Sequence, residues 1–180
     1  MQTVQSVPRA LVVDDDEALL RVHARALAKS GYAVETAGGG EAAVQALGKT
    51  SFDVILSDID MPGMDGLTLL ERVRTFDLDV PVVLITGSPS VDTAIKAMEH
   101  GALRYLVKPV ELDALVKVAD DAVRLHRIAR AKRQAFDLAG GVDRFVGDHA
   151  GLVASFGRAL ETLHIAYQPI VSWSKGAVFA

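Results

Sequence analysis

The chain has 180 residues, half of them hydrophobic, which is enough for an ordinary domain with a buried core. A formal net charge of -4, with acids and bases scattered along the chain, argues against the basic face of a nucleic-acid binder. The absence of cysteine excludes disulfides and thiolate chemistry, and neither a signal peptide nor an apolar bilayer-spanning stretch is present. We therefore expect a cytoplasmic globular protein that binds neither nucleic acid nor membrane.

Short β-branched runs alternate with helical patterns from residue 9 to about residue 130. This alternation predicts an α/β fold, in which helices cover a parallel sheet. Five runs lack the polar alternation of half-exposed strands, and we expect all five to be central strands. The runs comprise residues 10–13, 33–36, 54–57, 82–86 and 105–107.

Helical patterns between the strands carry apolar stripes that we expect to face the core. The stripes are Leu19, Val22, Ala26 and Leu27, then Leu69, Val73 and Phe76, then Val91, Ala94, Ile95 and Met98. Three glycines follow helical stretches, where a left-handed residue closes the last turn. They are Gly31, Gly48 and Gly101.

The last helical pattern continues beyond its apolar stripe. Leu112, Leu115, Val116 and Ala119 share one face, while helix-forming and basic residues continue to Arg133. We expect a solvated connector helix that ends before Gly140. A short helix at 153–163, a strand within 165–171 and a turn at 172–176 follow, and this tail is too small to fold alone.

Carboxylates follow two of the predicted strands. Asp14, Asp15 and Asp16 come directly after the first, and Asp58 ends the third. In a doubly wound sheet the carboxyl ends of these strands flank the ligand-binding crevice, so we expect the acids to converge. A hard divalent cation, for which Mg²⁺ is the natural candidate, would offset their repulsion. Capping of the first helix is the plainer explanation, but it requires only one acid.

A hydroxyl and an ammonium group are predicted at the same edge of the sheet. Thr86 ends the fourth strand, and Lys108 follows the fifth. Together with a metal they supply what a phosphoryl group on a carboxylate needs to neutralise its oxygens. Pro109 comes next, and a cis peptide bond there would aim Lys108 inward.

Four segments in chain order carry a resemblance to a known family: LVVDDD, VILSDIDMPGMDG, VVLITG and YLVKP. They resemble the receiver domains of two-component response regulators, over roughly residues 9–127. The resemblance implies a flavodoxin-like five-stranded sheet with strand order 2-1-3-4-5. It also implies Mg²⁺ as the cofactor and a histidine kinase as the phosphoryl donor.

The resemblance assigns roles to individual residues. It implies that Asp58 is the phosphoacceptor, that Asp15 binds the metal directly and Asp14 through water, and that the backbone carbonyl of Asp60 completes the metal's protein contacts. Lys108 would contact the phosphoryl group, and Thr86 would move to bond it. Tyr105 occupies the position of an aromatic residue that rotates on activation.

Two residues near the site are expected to set the phosphoryl lifetime. Asp60 places a second carboxylate two residues after Asp58, and Ser88 lies two residues after Thr86. Phosphorylation should rearrange the face around the fourth helix. Homodimerisation through the fourth helix, fifth strand and fifth helix is one use of that face, and a change at the hinge near Gly140 is another.

The C-terminal segment carries a second resemblance. FGRALETLHIAYQPIVSWSKGAVFA resembles the opening of an EAL-type cyclic-di-GMP phosphodiesterase domain, whose metal-binding acids are missing here. The implied organisation is a receiver at 1–128, a helical connector at 129–150 and the start of an output domain at 151–180. The chain itself would not be an enzyme, although a longer parent would be. An accessory helix and hairpin is the alternative.

Other functional classes fit the sequence less well. A haloacid-dehalogenase-like phosphatase would use Asp58 and Asp60 as an Asp-x-Asp pair, but Pro62 stands where that family has Thr or Val. A flavin-binding module would need a phosphate loop where Asp14–Asp16 repel phosphate. The glycines at 38–40 lack a dinucleotide fingerprint, and the five histidines, expected at surface or helix positions, lack zinc-ligand spacing.

Overall fold

The computed structural model describes residues 7–138 together with 170–172 and 177–179. Strands and helices alternate through the first of these ranges, as the sequence predicts. The strands are β1 Arg9–Val13, β2 Ala33–Ala37, β3 Val54–Asp58, β4 Val82–Thr86 and β5 Arg104–Val107. The helices are α1 Glu17–Lys29, α2 Gly40–Leu47, α3 Gly66–Phe76, α4 Val91–Glu99 and α5 Leu112–Leu138.

The five strands form one parallel sheet with the order β2-β1-β3-β4-β5. The predicted fold class and strand order are therefore confirmed. Because the order reverses between β1 and β3, a crevice opens at their carboxyl ends.

Side chains of the central strands alternate between two buried clusters, one on each face of the sheet. Leu11, Ile55 and Leu84 pack with residues of α2, α3 and α4. Val12 and Leu56, which point the opposite way, pack with residues of α1 and α5. A parallel sheet covered on both faces explains why these strands are apolar throughout.

The expectation that all five strands are central is correct for β1, β3 and β4 and wrong for β2 and β5. Every residue of β3 and β4 is buried. β2 and β5 form the two edges of the sheet and expose part of their length. Their β-branched and apolar residues suit a pleated strand but do not reveal whether a neighbour covers each side.

The predicted core face of α1 is displaced by one residue. The buried side chains are Leu20, His23 and Leu27, whereas Val22 is 46% exposed. The true face follows the spacing i, i+3, i+7, but its middle position is a histidine, so apolar periodicity alone did not find it.

The predicted core face of α4 is wrong. Val91, Ile95 and Met98 are 75%, 49% and 76% exposed, while Ala97 is fully buried. The helix packs on the sheet through this small side chain and turns its large apolar residues to the surface. In α3 the prediction holds for Leu69 and Val73, which are buried, but not for the half-exposed Phe76.

The helix ends agree with the glycine pattern in part. Gly31 after α1 and Gly101 after α4 have positive φ values of 91° and 77°. Gly48, which caps α2, has a φ of -68° in the right-handed region, so that prediction is wrong. The extended last helix is present, since α5 continues to Leu138.

The C-terminal part of the chain contains a short hairpin. Strands β6 Ile170–Ser172 and β7 Ala177–Phe179 pair in antiparallel fashion. The helix predicted at 153–163 lies outside the described residues. Within the described residues, no helix has the length and apolarity needed to cross a bilayer.

Candidate functional site

The predicted site residues meet at the carboxyl edge of the sheet. Asp14 and Asp15 follow β1, Asp58 ends β3, Thr86 ends β4, and Lys108 follows β5. These strands are neighbours in the sheet, so their ends lie side by side.

Three carboxylates form a compact cluster. Asp14, Asp15 and Asp58 each offer an oxygen, and these oxygens lie within 4.8 Å of one another. Asp14 and Asp58 are buried, while Asp15 is exposed. The expected convergence of the acids is therefore present in the fold.

The third acid of the Asp14–Asp16 run has a separate task. The Asp16 carboxylate caps α1 by accepting hydrogen bonds from the backbone N–H groups of Ala18 and Leu19, at 2.7 and 3.2 Å. Asp14 in turn accepts the N–H of Asp16 at 2.9 Å, which fixes its side chain. Helix capping thus accounts for Asp16 and leaves Asp15 free of that role.

Lys108 is shared by two buried carboxylates. Its Nζ donates to Asp14 Oδ2 at 3.0 Å and lies 3.0 Å from Asp58 Oδ1. The contact with Asp58 is an ion pair without good hydrogen-bond alignment, and among the described residues Asp58 Oδ1 has no hydrogen-bond partner. A buried, underbonded carboxylate oxygen beside two further acids is a donor set that suits a hard cation.

The electrostatics of the cluster make Asp58 more basic than an ordinary aspartate. Burial raises the pKa of Asp58, and the negative charges of Asp14 and Asp60 raise it further, against the opposing effect of Lys108. Burial lowers the pKa of Lys108, but its contacts with Asp58 and Asp14 outweigh burial, so the net shift is upward. The ammonium therefore remains charged at neutral pH.

Thr86 is bonded to residues on two loops. Its hydroxyl donates to Asp60 Oδ2 at 2.7 Å and accepts the backbone N–H of Ser88 at 3.0 Å. Asp60 and Ser88, which the sequence suggested as neighbours of the site, thus both contact Thr86 directly. The sequence did not indicate this connection.

Tyr105 on β5 is tied to the start of α4. Its hydroxyl lies 2.8 Å from Thr93 Oγ1. Thr93 also forms a capping box with Ser90, the N-cap residue of α4. Our sequence reasoning missed Thr93, although the Ser90-x-x-Thr93 spacing is a detectable capping signal.

Gly66 at the start of α3 was also missed. A Cβ added there would lie 2.1 Å from the backbone oxygen of Asp58. Only glycine lets α3 approach the end of β3 this closely. The Met-Asp-Gly sequence before α3 was the available signal.

Two other predicted features have a defined place. The Lys108–Pro109 peptide bond is cis. His23 and His126 lie on helices, as expected, but both are buried. Burial lowers the pKa of His23, an effect that Asp14 opposes and Lys108 reinforces.

Comparisons with known proteins agree with this geometry. Residues 10–120 match the response regulator receiver domain family. The chain is 34% identical over 138 residues to the two-component response regulator ARR10 of Arabidopsis thaliana, which covers 76% of this chain and 25% of that protein. It is 40% identical over 112 residues to the DNA-binding transcriptional regulator NtrC of Escherichia coli K12, covering 62% and 24%.

A solved structure shows the same fold. The CheY-like receiver domain protein from Methanospirillum hungatei JF-1 superposes with a TM-score of 0.67 at 28% identity, covering 69% of this chain and 99% of that one. The chain spans about a quarter of the length of the two curated relatives. The chain belongs to the response regulator receiver domain family.

Proposed function

We propose that this chain is a Mg²⁺-dependent phosphoacceptor switch that takes a phosphoryl group on Asp58. The observation that carries the proposal is the buried Asp58 carboxylate, whose Oδ1 lacks a hydrogen-bond partner among the described residues and lies 3.0 Å from Lys108 Nζ. Asp14 and Asp15 complete the acidic cluster beside it. The raised pKa of Asp58 favours its action as a nucleophile once it is deprotonated.

The acidic cluster fits a magnesium ion. Asp15 and Asp58 would bind it through carboxylate oxygens, Asp14 through water, and Asp60 through its backbone carbonyl. When bound, Mg²⁺ supplies positive charge to the phosphoryl oxygens and offsets the repulsion between the carboxylates. Fixed hydrogen bonds to Asp14 from Asp16 and Lys108 hold one side of this cluster in place.

The phosphoryl donor is a histidine kinase, the partner with which receiver domains work. A carboxylate oxygen of Asp58 attacks the phosphorus of a phosphohistidine. The new P–O bond forms as the P–N bond breaks, and the imidazole leaves with the electron pair. Lys108 would then contact a phosphoryl oxygen, and Thr86 would donate its hydroxyl proton to another.

Asp60 and Ser88 would set the lifetime of the acyl phosphate. The Asp60 carboxylate lies two residues beyond Asp58 and can orient an attacking water. Ser88 bonds Thr86 through its backbone N–H and so influences how readily that residue moves.

The signal would leave through the surface of α4, β5 and α5. The bond between Tyr105 and Thr93 joins β5 to the first turn of α4, so a movement of Tyr105 changes the support of that helix. Exposed Val91, Ile95 and Met98 make this surface apolar, which suits a homodimer contact or a contact with an output domain.

We infer that the parent protein continues into an output domain. The proposed organisation is a receiver at 1–128, a helical connector at 129–150 and an EAL-type start at 151–180, while the chain divides into the compact units Met1–Arg133 and Gln134–Ala180. The sequence of the tail and its antiparallel hairpin support the EAL assignment, which the comparisons do not show. A coding sequence without Glu-Ala-Leu shortly beyond Ala180 would refute it.

Labelling from a small phosphodonor tests the central proposal. Wild type and Asp58→Ala are incubated with acetyl phosphate, with and without Mg²⁺, and their intact masses are compared. We expect one phosphoryl group on wild type, dependent on Mg²⁺, and none on the variant. Continuous turnover of generic phosphate esters would instead favour the phosphatase that uses Asp58 and Asp60.

A further inference from the structure

The hydroxyl of Thr86 has one proton, and in this structure Asp60 accepts it. The Thr86 Oγ1 to Asp60 Oδ2 distance is 2.7 Å, a short bond to a charged acceptor. A hydroxyl donates one hydrogen bond at a time, so the same proton cannot also bond a phosphoryl oxygen.

The bond lies where it can hold several elements together. Thr86 ends β4, Asp60 is on the loop between β3 and α3, and Ser88, whose N–H donates to Thr86 Oγ1, starts the loop to α4. The Thr86 carbonyl also accepts the N–H of Lys108 at 2.8 Å. The position of one buried side chain therefore affects three segments around the site.

Asp60 has two chemically separate groups. The metal role assigned above belongs to its backbone carbonyl, whereas Thr86 bonds its side chain. A substitution of the side chain keeps the carbonyl and removes only the acceptor of the Thr86 proton.

We propose that the Asp60 side chain is a positioning residue that holds Thr86 in the resting state and opposes activation. This inference rests on the proposed function of Asp58. A phosphoryl group must compete with the Asp60 carboxylate for the Thr86 proton, and this competition sets how much of the phosphorylated protein is active. Once Thr86 has moved, the Asp60 carboxylate is released.

Beryllofluoride, which mimics a phosphoryl group on aspartate, provides the probe for a double-mutant cycle. Its binding to the full chain is titrated at saturating Mg²⁺ and followed by the methyl NMR signal of residue 86. Asp60→Ala is compared with wild type, and the same substitution is repeated in a Thr86→Val background. The second comparison measures the effect of the lost charge alone, because the hydroxyl is absent.

We expect Asp60→Ala to lower the titration midpoint about tenfold more in the Thr86 background than in the Thr86→Val background, the size of one charge-assisted hydrogen bond. In the absence of beryllofluoride, the Thr86 methyl signal of Asp60→Ala should move toward its position in the bound wild type. Asp60→Asn keeps an acceptor oxygen and should restore the wild-type signal.

Equal effects of Asp60→Ala in the two backgrounds would overturn the positioning role. An unchanged Thr86 signal in Asp60→Ala would do the same. If wild type binds beryllofluoride but shows no coupling, only this inference fails. If wild type does not bind it, the phosphoacceptor function itself fails, and the inference with it.

Discussion

At the scale of single residues, the site depends on how one ammonium group serves two acids. Lys108 lies 3.0 Å from oxygens of both Asp14 and Asp58, which are buried. Removing one member of a buried ionic group leaves the others without compensation. The same group that would bind a phosphoryl oxygen therefore also stabilises the resting fold.

Lys108→Met should destabilise the metal-free domain. We expect a loss of roughly 1–3 kcal/mol in the free energy of unfolding, because the remaining carboxylates lose their counter-charge in a partly buried site. Urea unfolding without metal measures it, and added Mg²⁺ should recover part of the loss. Lys117→Met, on the exposed side of α5, is the matched control. Equal unfolding midpoints for the two variants would contradict this account.

Asp60→Asn should slow loss of the phosphoryl group. The amide keeps an acceptor for Thr86 but cannot act as a base toward water. Dephosphorylation is followed by intact mass after the phosphodonor is removed. Asp113→Asn, at the exposed start of α5, should retain the wild-type rate. A rate for Asp60→Asn equal to that of wild type would remove the proposed lifetime role.

At the scale of elements, close packing of helices on the sheet places the site residues. α3 starts at Gly66, against the backbone oxygen of Asp58, and α1 buries His23 near Asp14 and Lys108. In both cases a helix residue that takes no part in the chemistry determines how the end of a strand is held.

Gly66→Ala should destabilise the domain and disturb the site. The added Cβ would lie 2.1 Å from Asp58 O, and relief of such a clash costs about 1–3 kcal/mol. Thermal unfolding and acetyl phosphate labelling measure the two effects. Gly38→Ala is the control, since its Cβ would meet nothing within 4 Å. Wild-type stability and labelling in Gly66→Ala would show that the approach of α3 is not constrained.

His23 should make stability depend on pH. Its pKa is lowered by burial, so below the ordinary value of 6.5 the unfolded chain binds more protons at this position than the folded chain. The neutral form thus contributes stability above pH 6.5 that is lost as the pH falls. In urea titrations without metal, His23→Gln should lose less stability across this range than wild type. The same pH dependence in both proteins would contradict the assignment.

At the scale of the whole molecule, the sequence predicts backbone order better than side-chain partners. The strand order and the acids at the ends of β1 and β3 follow from strand runs and motifs, because a parallel sheet brings consecutive strand ends to one edge. The outward face of α4 could not be predicted, because the helix packs through Ala97 and turns its larger apolar residues outward.

The contacts between loops were also beyond reach of the sequence. Thr86 was expected near a phosphoryl group, but its bond to Asp60 joins loops that are distant along the chain. The bond between Tyr105 and Thr93 has the same character. Such pairs depend on rotamers and on the exact approach of the elements, neither of which a pattern of residue types specifies.

The central claim is spatial: Asp15, Asp58 and Lys108 surround one phosphoryl position next to a cation. An experimental structure with Mg²⁺ and beryllofluoride tests it most directly. We predict beryllium bonded to an Asp58 carboxylate oxygen, Mg²⁺ in contact with Asp15, Asp58 and the Asp60 carbonyl, and Lys108 Nζ on a fluorine. Beryllofluoride bound elsewhere, or Mg²⁺ without contact to Asp58, would contradict the account.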